Sequence, residues 1–410
     1  MAEPNSQGGA TVVDGPRQCG RNLDISNEKS KHEIGWRRVI RNFTPAWFSV
    51  NMGTGIVSIL LNTLPYNGRW LYYLSIIAFC LNVAYFVVFL AITLLRYILY
   101  PEIFRAMVNH PVQSLFLGTL PMGLATIINM FCFVCVEPWG HKAAYFVWAL
   151  WIFDAVVSAV IAIGIPFILT TRANGIDLSS VTAALLLPIV SCVVAAASAA
   201  IVAEILPNAQ LALATILAGY ILWGIGTPLA MMVICIYLQR LMIHKHPPKA
   251  VLLSVFLPLG PLGQGGFGIQ ELGIAAKKVF HTTRTLDGSI TGHVLYSVGF
   301  LTGIIMWALG IVWLCFAVFT ILKVRRFPFN MGWWALTFPL GVFTTCTIKL
   351  AQDLPSRFFS VLATIFSVLV VLLWLLVSFH TTRRIIKGDL FVAPCLQNLQ
   401  PRNRGVQGVV

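Results

Sequence analysis

Ten stretches of this chain stay apolar for about twenty residues or more, at roughly 44–63, 71–95, 112–134, 143–169, 179–203, 209–239, 249–276, 291–322, 331–350 and 357–380. An α-helix rises about 1.5 Å per residue, so about 20 apolar residues are what a hydrocarbon core about 30 Å thick asks of each crossing. Inside that core every backbone polar group must be satisfied within the segment, which leaves the helix as the form such runs can take. Composition agrees, with 58% of the 410 residues hydrophobic and 10% charged, where a soluble domain carries about a quarter charged residues. The sequence reads as an all-α membrane protein with ten transmembrane helices in a lipid bilayer. An even number of crossings returns both termini to one side.

The flanks differ in character from the middle. Residues 1–36 are polar and lack the apolar core of a signal peptide. They read as a disordered N-terminal tail, residues 37–387 as one ten-helix transmembrane domain, and residues 388–410 as a C-terminal tail. With the tails placed inside, 21 of the 28 basic residues fall in inner segments. The other 7, Arg69, Lys142, Lys277, Lys278, Arg284, Lys349 and Arg357, fall in outer ones. Basic residues mark cytoplasmic loops, so both termini are expected in the cytoplasm. The net charge of +14 thus reports topology, and nothing in it calls for a nucleic-acid partner.

An internal repeat runs through the apolar segments, and repeats set a fold. Pro121, Pro188, Pro258 and Pro339 lie nine or ten residues beyond the inner starts of runs three, five, seven and nine, at Pro111, Leu178, Pro248 and Asn330. Ten helical residues rise about 15 Å, half the hydrocarbon core. The four prolines therefore share one depth, and Gly53 falls at that depth in the first run. A proline within a helix removes a hydrogen bond and clashes with the preceding turn, at about 3 kcal/mol or more. In hydrocarbon such a break survives where protein or a water-filled cavity meets the freed backbone groups. The economical arrangement is five helical hairpins around a central pore, odd-numbered helices inside and even-numbered helices outside, with Pro121, Pro188, Pro258, Pro339 and Gly53 as pore kinks. A compact bundle with ordinary proline kinks is the alternative. Runs two and ten contain no glycine or proline, but runs six and eight do, so the odd–even contrast is a tendency.

Motifs for soluble chemistry find no context here. Gly263, Gly265 and Gly268 spell G-x-G-x-x-G, but a dinucleotide site needs a preceding strand and a βαβ unit, and these glycines lie in an apolar run between Pro261 and Glu271. Close helix packing or an opened backbone segment explains them better. Cys132 and Cys135 form C-x-x-C near His141 without a second ligand pair. No cofactor or metal is expected. An enzyme would need paired carboxylates or clustered histidines, and the eight histidines lie mostly in loops and tails, so no enzymatic activity is expected either.

Ionisable groups at membrane depth are costly and functional by default. Asp154 is the clearest, and its even-numbered run suggests a partner within the helix packing rather than substrate contact. Glu204, Glu271 and Lys349 lie near outer helix ends. Lys349 either draws an anion to the outer mouth or snorkels to the interface. The odd-numbered runs offer small, neutral hydrogen-bonding side chains: Asn51, Thr54, Ser58, Thr119, Thr126, Ser191, Ser198, Gln264, Thr344 and Thr347. Donors without a carboxylate ring suit an anion, where a cation pore would show carboxylates. Asn51, Thr54, Gln264, Thr344 and Lys349 are the substrate-binding candidates. Phe338, immediately before Pro339, is either packing or a plug that closes a pore by excluding water.

Two segments resemble a known family. Phe43–Ile56, Phe-Thr-Pro-Ala-Trp-Phe-Ser-Val-Asn-Met-Gly-Thr-Gly-Ile, and Trp333–Gly341, Trp-Trp-Ala-Leu-Thr-Phe-Pro-Leu-Gly, are similar to the tellurite-resistance/dicarboxylate transporter family. That family includes plant guard-cell slow anion channels, bacterial tellurite-resistance channels, yeast malic-acid permeases and fungal plasma-membrane sulfite efflux pumps. The resemblance covers about residues 37–388, and the run Pro261–Gly273 looks like the sulfite-efflux branch. It implies ten helices as five hairpins, a central pore and a gating phenylalanine that falls on Phe338. It also implies a homo-oligomer, trimeric in family members, with a dimer left open by the sequence. The function so implied is export of sulfite or bisulfite across the plasma membrane, driven by membrane potential, a pH gradient or both. A proton-coupled malate or dicarboxylate permease, or a general anion channel, is the alternative on the same fold.

Overall fold

The computed structural model describes residues 35–396 apart from 172–176, 287–288, 325–326 and 355. The expected N-terminal tail thus lies outside the described residues except for Gly35 and Trp36, and so does the C-terminal tail beyond Leu396. Ten long helices follow one another: α1 Phe48–Thr63, α2 Arg69–Leu99, α3 Thr119–Val134, α4 His141–Thr170, α5 Leu186–Ile205, α6 Ala209–His244, α7 Leu259–Thr283, α8 Ser289–Val324, α9 Thr337–Asp353 and α10 Arg357–Lys387. Among the described residues no strand occurs. Among the described residues nine helices, counted with their 3-10 lead-ins, are long and apolar enough to cross a membrane. The tenth, Pro45–Thr63, passes that test only together with Gly35–Asn42, from which it bends by 84°. Asn51, Thr54 and Ser58 dilute its apolar character, yet all three are fully buried.

Each odd-numbered helix starts with a 3-10 segment: Pro45–Trp47, Gln113–Gly118, Ala183–Leu185, Lys249–Phe256 and Met331–Leu336. The prolines explain where those segments end. Pro121, Pro188 and Pro339 are the third residues of α3, α5 and α9, and Pro258 immediately precedes α7. A proline ring clashes with the carbonyl four residues back, so the α ladder cannot run through it, and the tighter 3-10 turn carries the chain in. In the first α turn a missing N–H is one that has no intrahelical partner anyway. The expected mid-helix kinks are therefore corrected to 3-10-to-α junctions, a far cheaper place for proline. Gly53 is no kink either, since α1 runs unbroken through it. A Cβ there would stand 2.5 Å from Thr337 Oγ1 and 2.6 Å from the Trp334 ring, so Gly53 lets the start of α9 lie against α1.

The helices sort into two sets. α1 packs on α3, α3 on α5, α5 on α7, α7 on α9, and α9 back on α1. Each even-numbered helix lies against two consecutive members of that inner cycle: α2 on α1 and α3, α4 on α3 and α5, α6 on α5 and α7, α8 on α7 and α9, and α10 on α9 and α1. In its most apolar window α5 is 94% buried and α10 only 22%. A repeated polar contact ties the outer helices to the inner ones. Asn82 Nδ2 on α2 donates to Thr126 Oγ1 on α3, and Trp151 Nε1 on α4 to the Ala195 carbonyl on α5. Trp223 Nε1 on α6 donates to the Gly265 carbonyl on α7, Trp307 Nε1 on α8 to Thr347 Oγ1 on α9, and Trp374 Nε1 on α10 to Thr54 Oγ1 on α1. Every outer helix thus reaches to the next inner helix in the cycle. Bilayer helices lack a hydrophobic force between them, so close packing and such bonds hold them together.

The two described chain ends meet on one face. Arg38 Nη2 donates to the Gly388 carbonyl at 3.4 Å and the Ala393 N–H to Asn42 Oδ1 at 3.1 Å. Phe391 stacks on Trp47, and the fully buried Arg96 donates to the Arg41 carbonyl and to Cys395 Sγ. Residues 388–396, read from sequence as the start of a tail, therefore pack against the helical domain.

Candidate functional site

Stripes of side chains from the five inner helices converge on one cavity. α1 contributes Ile56, Ile59 and Thr63; α3 contributes Thr126, Asn129 and Phe133; α5 contributes Val194, Ile201 and Glu204. α7 adds Gln264, Phe267, Glu271, Ile274 and Lys278, and α9 adds Phe338, Val342, Thr345, Ile348, Lys349 and Gln352. Spacings of three, four and seven residues recur because they keep side chains on one helix face. The cavity holds about 320 Å³ and lies towards the C-terminal ends of the inner helices; we call it the outer cavity.

A second cavity of about 510 Å³ lies among their 3-10 lead-ins, on the face where the chain ends meet. Close to α9 its walls are apolar: Met52, Met122, Val190, Leu257 and Gly260. Its rim carries Gln113, Asn330, Arg384 and Asp389, with Leu390, Val392 and Pro394 of the C-terminal segment. Phe338 lines both cavities, and among the described residues no other side chain does. On the four remaining inner helices the boundary falls within one turn, between Met52 and Ile56, Met122 and Thr126, Val190 and Val194, and Gly260 and Gln264. Phe338 is 3% exposed and lies at the boundary between the two.

The outer cavity carries charge in pairs. Lys349 Nζ lies 3.0 Å from Glu271 Oε1 and 3.9 Å from Asp353 Oδ1, and Lys278 Nζ lies 2.7 Å from Glu204 Oε1. The second pair is open to solvent, with Lys278 64% exposed, and such pairs contribute little. The first is enclosed, its three side chains 11–14% exposed, where attraction between opposite charges is several-fold stronger than in water. Among the described residues no group of three His, Cys, Asp or Glu side chains could hold a metal ion.

Of the five sequence candidates for substrate contact, the structure brings Gln264 and Lys349 to the outer cavity. Asn51 turns to α2, where its Nδ2 donates to the Asn82 carbonyl and to Asn82 Oδ1. Thr54 takes the Trp374 bond, and Thr344 donates to the Leu340 carbonyl. Ser58, Thr119, Ser191, Ser198 and Thr347 are also buried without lining either cavity, whereas Thr126 lines the outer one. Sequence reasoning passed over Asn129, Thr345 and Gln352. The signal for Thr345 and Gln352 was the helical period counted from Phe338. The partner expected for Asp154 is not found among the described residues: the side chain is 1% exposed, and neither carboxylate oxygen has a hydrogen-bond partner there. The three glycines of G-x-G-x-x-G serve packing, for a Cβ at Gly263 would stand 2.5 Å from the Phe343 backbone.

Comparison with known proteins places this arrangement. The chain is 48% identical over 370 residues to the sulfite efflux pump of Arthroderma benhamiae, an alignment covering 90% of this chain and 98% of that protein. It is 29% identical over 383 residues to the sulfite efflux pump of Saccharomyces cerevisiae, covering 80% of this chain and 84% of the other. It is 23% identical over 368 residues to the malic acid transport protein of Schizosaccharomyces pombe, covering 89% and 83%. The profile of the SLAC1 family, described as voltage-dependent anion channel, matches residues 42–382, from the start of the first span almost to the end of the last. With nine or ten apolar helices among its described residues and that match, this chain is a multi-pass membrane protein that belongs to the SLAC1 voltage-dependent anion channel family.

Proposed function

We propose that the chain exports sulfite or bisulfite from the cytosol through a central pore formed by five helical hairpins, α1–α2 to α9–α10, with Phe338 as the gate. The observation that carries this reading is the pair of cavities, each walled by all five inner helices, that share only Phe338. The family supports anion transport, and the 48% identity to a sulfite efflux pump supports sulfite as the anion. On this reading the cavity with the 3-10 lead-ins opens to the cytosol, an orientation supported by the bias of basic residues toward that side, and the membrane is the plasma membrane. Neutral amide donors such as those of Gln264 and Asn129 offer hydrogen bonds to an oxyanion, with Lys349 beyond them. Moving one negative charge out of a negative-inside cytosol gains about 2.3 kcal/mol per 100 mV, so the membrane potential, the pH gradient or both drive efflux without ATP.

Purified protein in liposomes loaded with sulfite tests this. Efflux above that of protein-free vesicles, accelerated by an inside-negative potential, is the expected result. Likeness to the fission-yeast malic acid transport protein favours a second reading, proton-coupled malate transport. Absence of sulfite flux together with acid-dependent malate uptake would replace the first reading by the second.

A further inference from the structure

We propose that Glu271 acts as an exchangeable counter-anion for Lys349, occupying the lysine at rest and yielding it to an oxyanion in transit so that the anion leaves rather than being trapped. The inference rests on the transport reading above and deepens it at one site. Lys349 and Glu271 project from α9 and α7 into the same outer cavity, with Nζ and Oε1 3.0 Å apart. Asp353 approaches the ammonium only to 3.9 Å, from its own helix and without lining the cavity. An anion in the cavity can therefore displace Glu271, while Asp353 stays to steady the lysine. Leading up to the pair are Gln264, two turns before Glu271, and Thr345, one turn before Lys349. Asn129 lines the same cavity at 5% exposure, and its side-chain amide N–H is of the type that donates to an oxyanion.

The physical need is clear. An unpaired lysine in an enclosed site would bind a small oxyanion tightly, and conduction requires sites weak enough to leave. Replacing one carboxylate by another oxyanion keeps the ammonium paired throughout, so the well is shallow in both directions. With Asp353 and Glu204, carboxylates outnumber the two lysines at this mouth, and the field there favours departure over re-entry.

The full-length protein in liposomes decides, with sulfite efflux read against rising sulfite outside. External sulfite should inhibit the native protein weakly. Glu271→Gln leaves the lysine half-paired, so the half-inhibiting external concentration should fall about tenfold and maximal efflux should drop. Lys349→Met leaves carboxylates unbalanced and should lower efflux without gaining that inhibition. The double variant Glu271→Gln/Lys349→Met should recover efflux above either single variant. Unchanged inhibition in Glu271→Gln, or losses that simply add in the double variant, overturns the proposal. If Glu271→Gln is not monodisperse in detergent, Glu271→Asp must show the same shift to a smaller degree, and native behaviour there overturns the proposal equally. Native protein that passes chloride or malate but no sulfite defeats the sulfite reading, and the same variants on the conducted anion still judge this one. Native protein that conducts none of the three overturns both.

Discussion

The inner and outer cavities are built by the same five helices and yet differ in kind. The inner one, about 510 Å³, has apolar walls near Phe338 and gathers its polar groups at a wide rim. The outer one, about 320 Å³, brings Thr126, Asn129, Gln264 and Thr345 inside and closes with two ion pairs. Since the helices are shared, the difference arises along each of them, where the 3-10 lead-in gives way to the α segment. On the proposed transport reading, an apolar inner wall lets water withdraw beside a phenylalanine ring, while polar groups of the outer wall replace the lost hydration of an anion once past it. If Phe338 is the proposed gate, holding shut and passing on are divided between the two sides of one residue.

The strongest way to break this comparison is to remove that residue. Phe338→Ala should join the cavities and raise anion conductance about tenfold or more, which corresponds to at least about 1.4 kcal/mol off the barrier. Patch-clamp of cells expressing the variant reads it directly. Phe338→Leu keeps most of the apolar volume and should stay close to native conductance. Equal conductance in all three proteins would mean that the two cavities are not stages of one path.

A smaller effect belongs to the inner rim. Arg384 lines it and lies 5.7 Å over the Phe329 ring, where it adds positive potential at the mouth. Steering of an anion by one half-buried rim charge is a rate effect that salt screens, with a Debye length of about 10 Å at 0.1 M. Arg384→Gln should lower sulfite efflux about two- to threefold at low ionic strength, and the deficit should vanish near 1 M salt. A deficit that persists at high salt would assign Arg384 to packing on Phe329 instead.

What the sequence disclosed and what it hid divide along a physical line. Run lengths located all ten helices, because hydrocarbon thickness and helical rise leave little freedom; the expected 112–134 became Gln113–Val134 and 209–239 became Ala209–His244. The common depth of the four prolines pointed to the plane where the cavities meet, although the prolines turned out to begin α helices rather than break them. Helix rotation was less legible. A single residue turns a helix by 100°, and in nearly uniform apolar runs nothing local fixes which face looks inward. Thr344 was chosen where Thr345 faces the cavity. Counting from Phe338 by four, seven, eleven and fourteen would have given Val342, Thr345, Lys349 and Gln352. Small polar side chains on the odd-numbered runs suit a cavity wall, but at Asn51 and Thr54 neighbouring helices claim them. The Lys349–Glu271 pair joins residues 78 positions apart on different helices, and charge position alone does not predict such a contact.

The smallest expected effect separates a side chain that faces the cavity from one that binds helices together. Thr345 lines the outer cavity with its hydroxyl on the Val342 carbonyl, a local bond it can exchange for one to a passing anion. Thr54 instead accepts the Trp374 N–H at 3.1 Å, the bond that joins α10 to α1 and completes the cycle of outer-to-inner contacts. Thr345→Val should lower efflux about twofold without changing thermal stability in detergent. Thr54→Val should leave efflux near native but lower stability by about 0.6 kcal/mol, the average for such bonds between membrane helices, and Trp374→Phe should show the same loss. Because both variants of the Thr54–Trp374 pair remove one bond, combining them should cost little more than either alone. Additive losses would dissolve the pair, and an efflux defect confined to Thr54→Val would exchange the two threonines' roles, turning α1 to face the path with the side now given to α10.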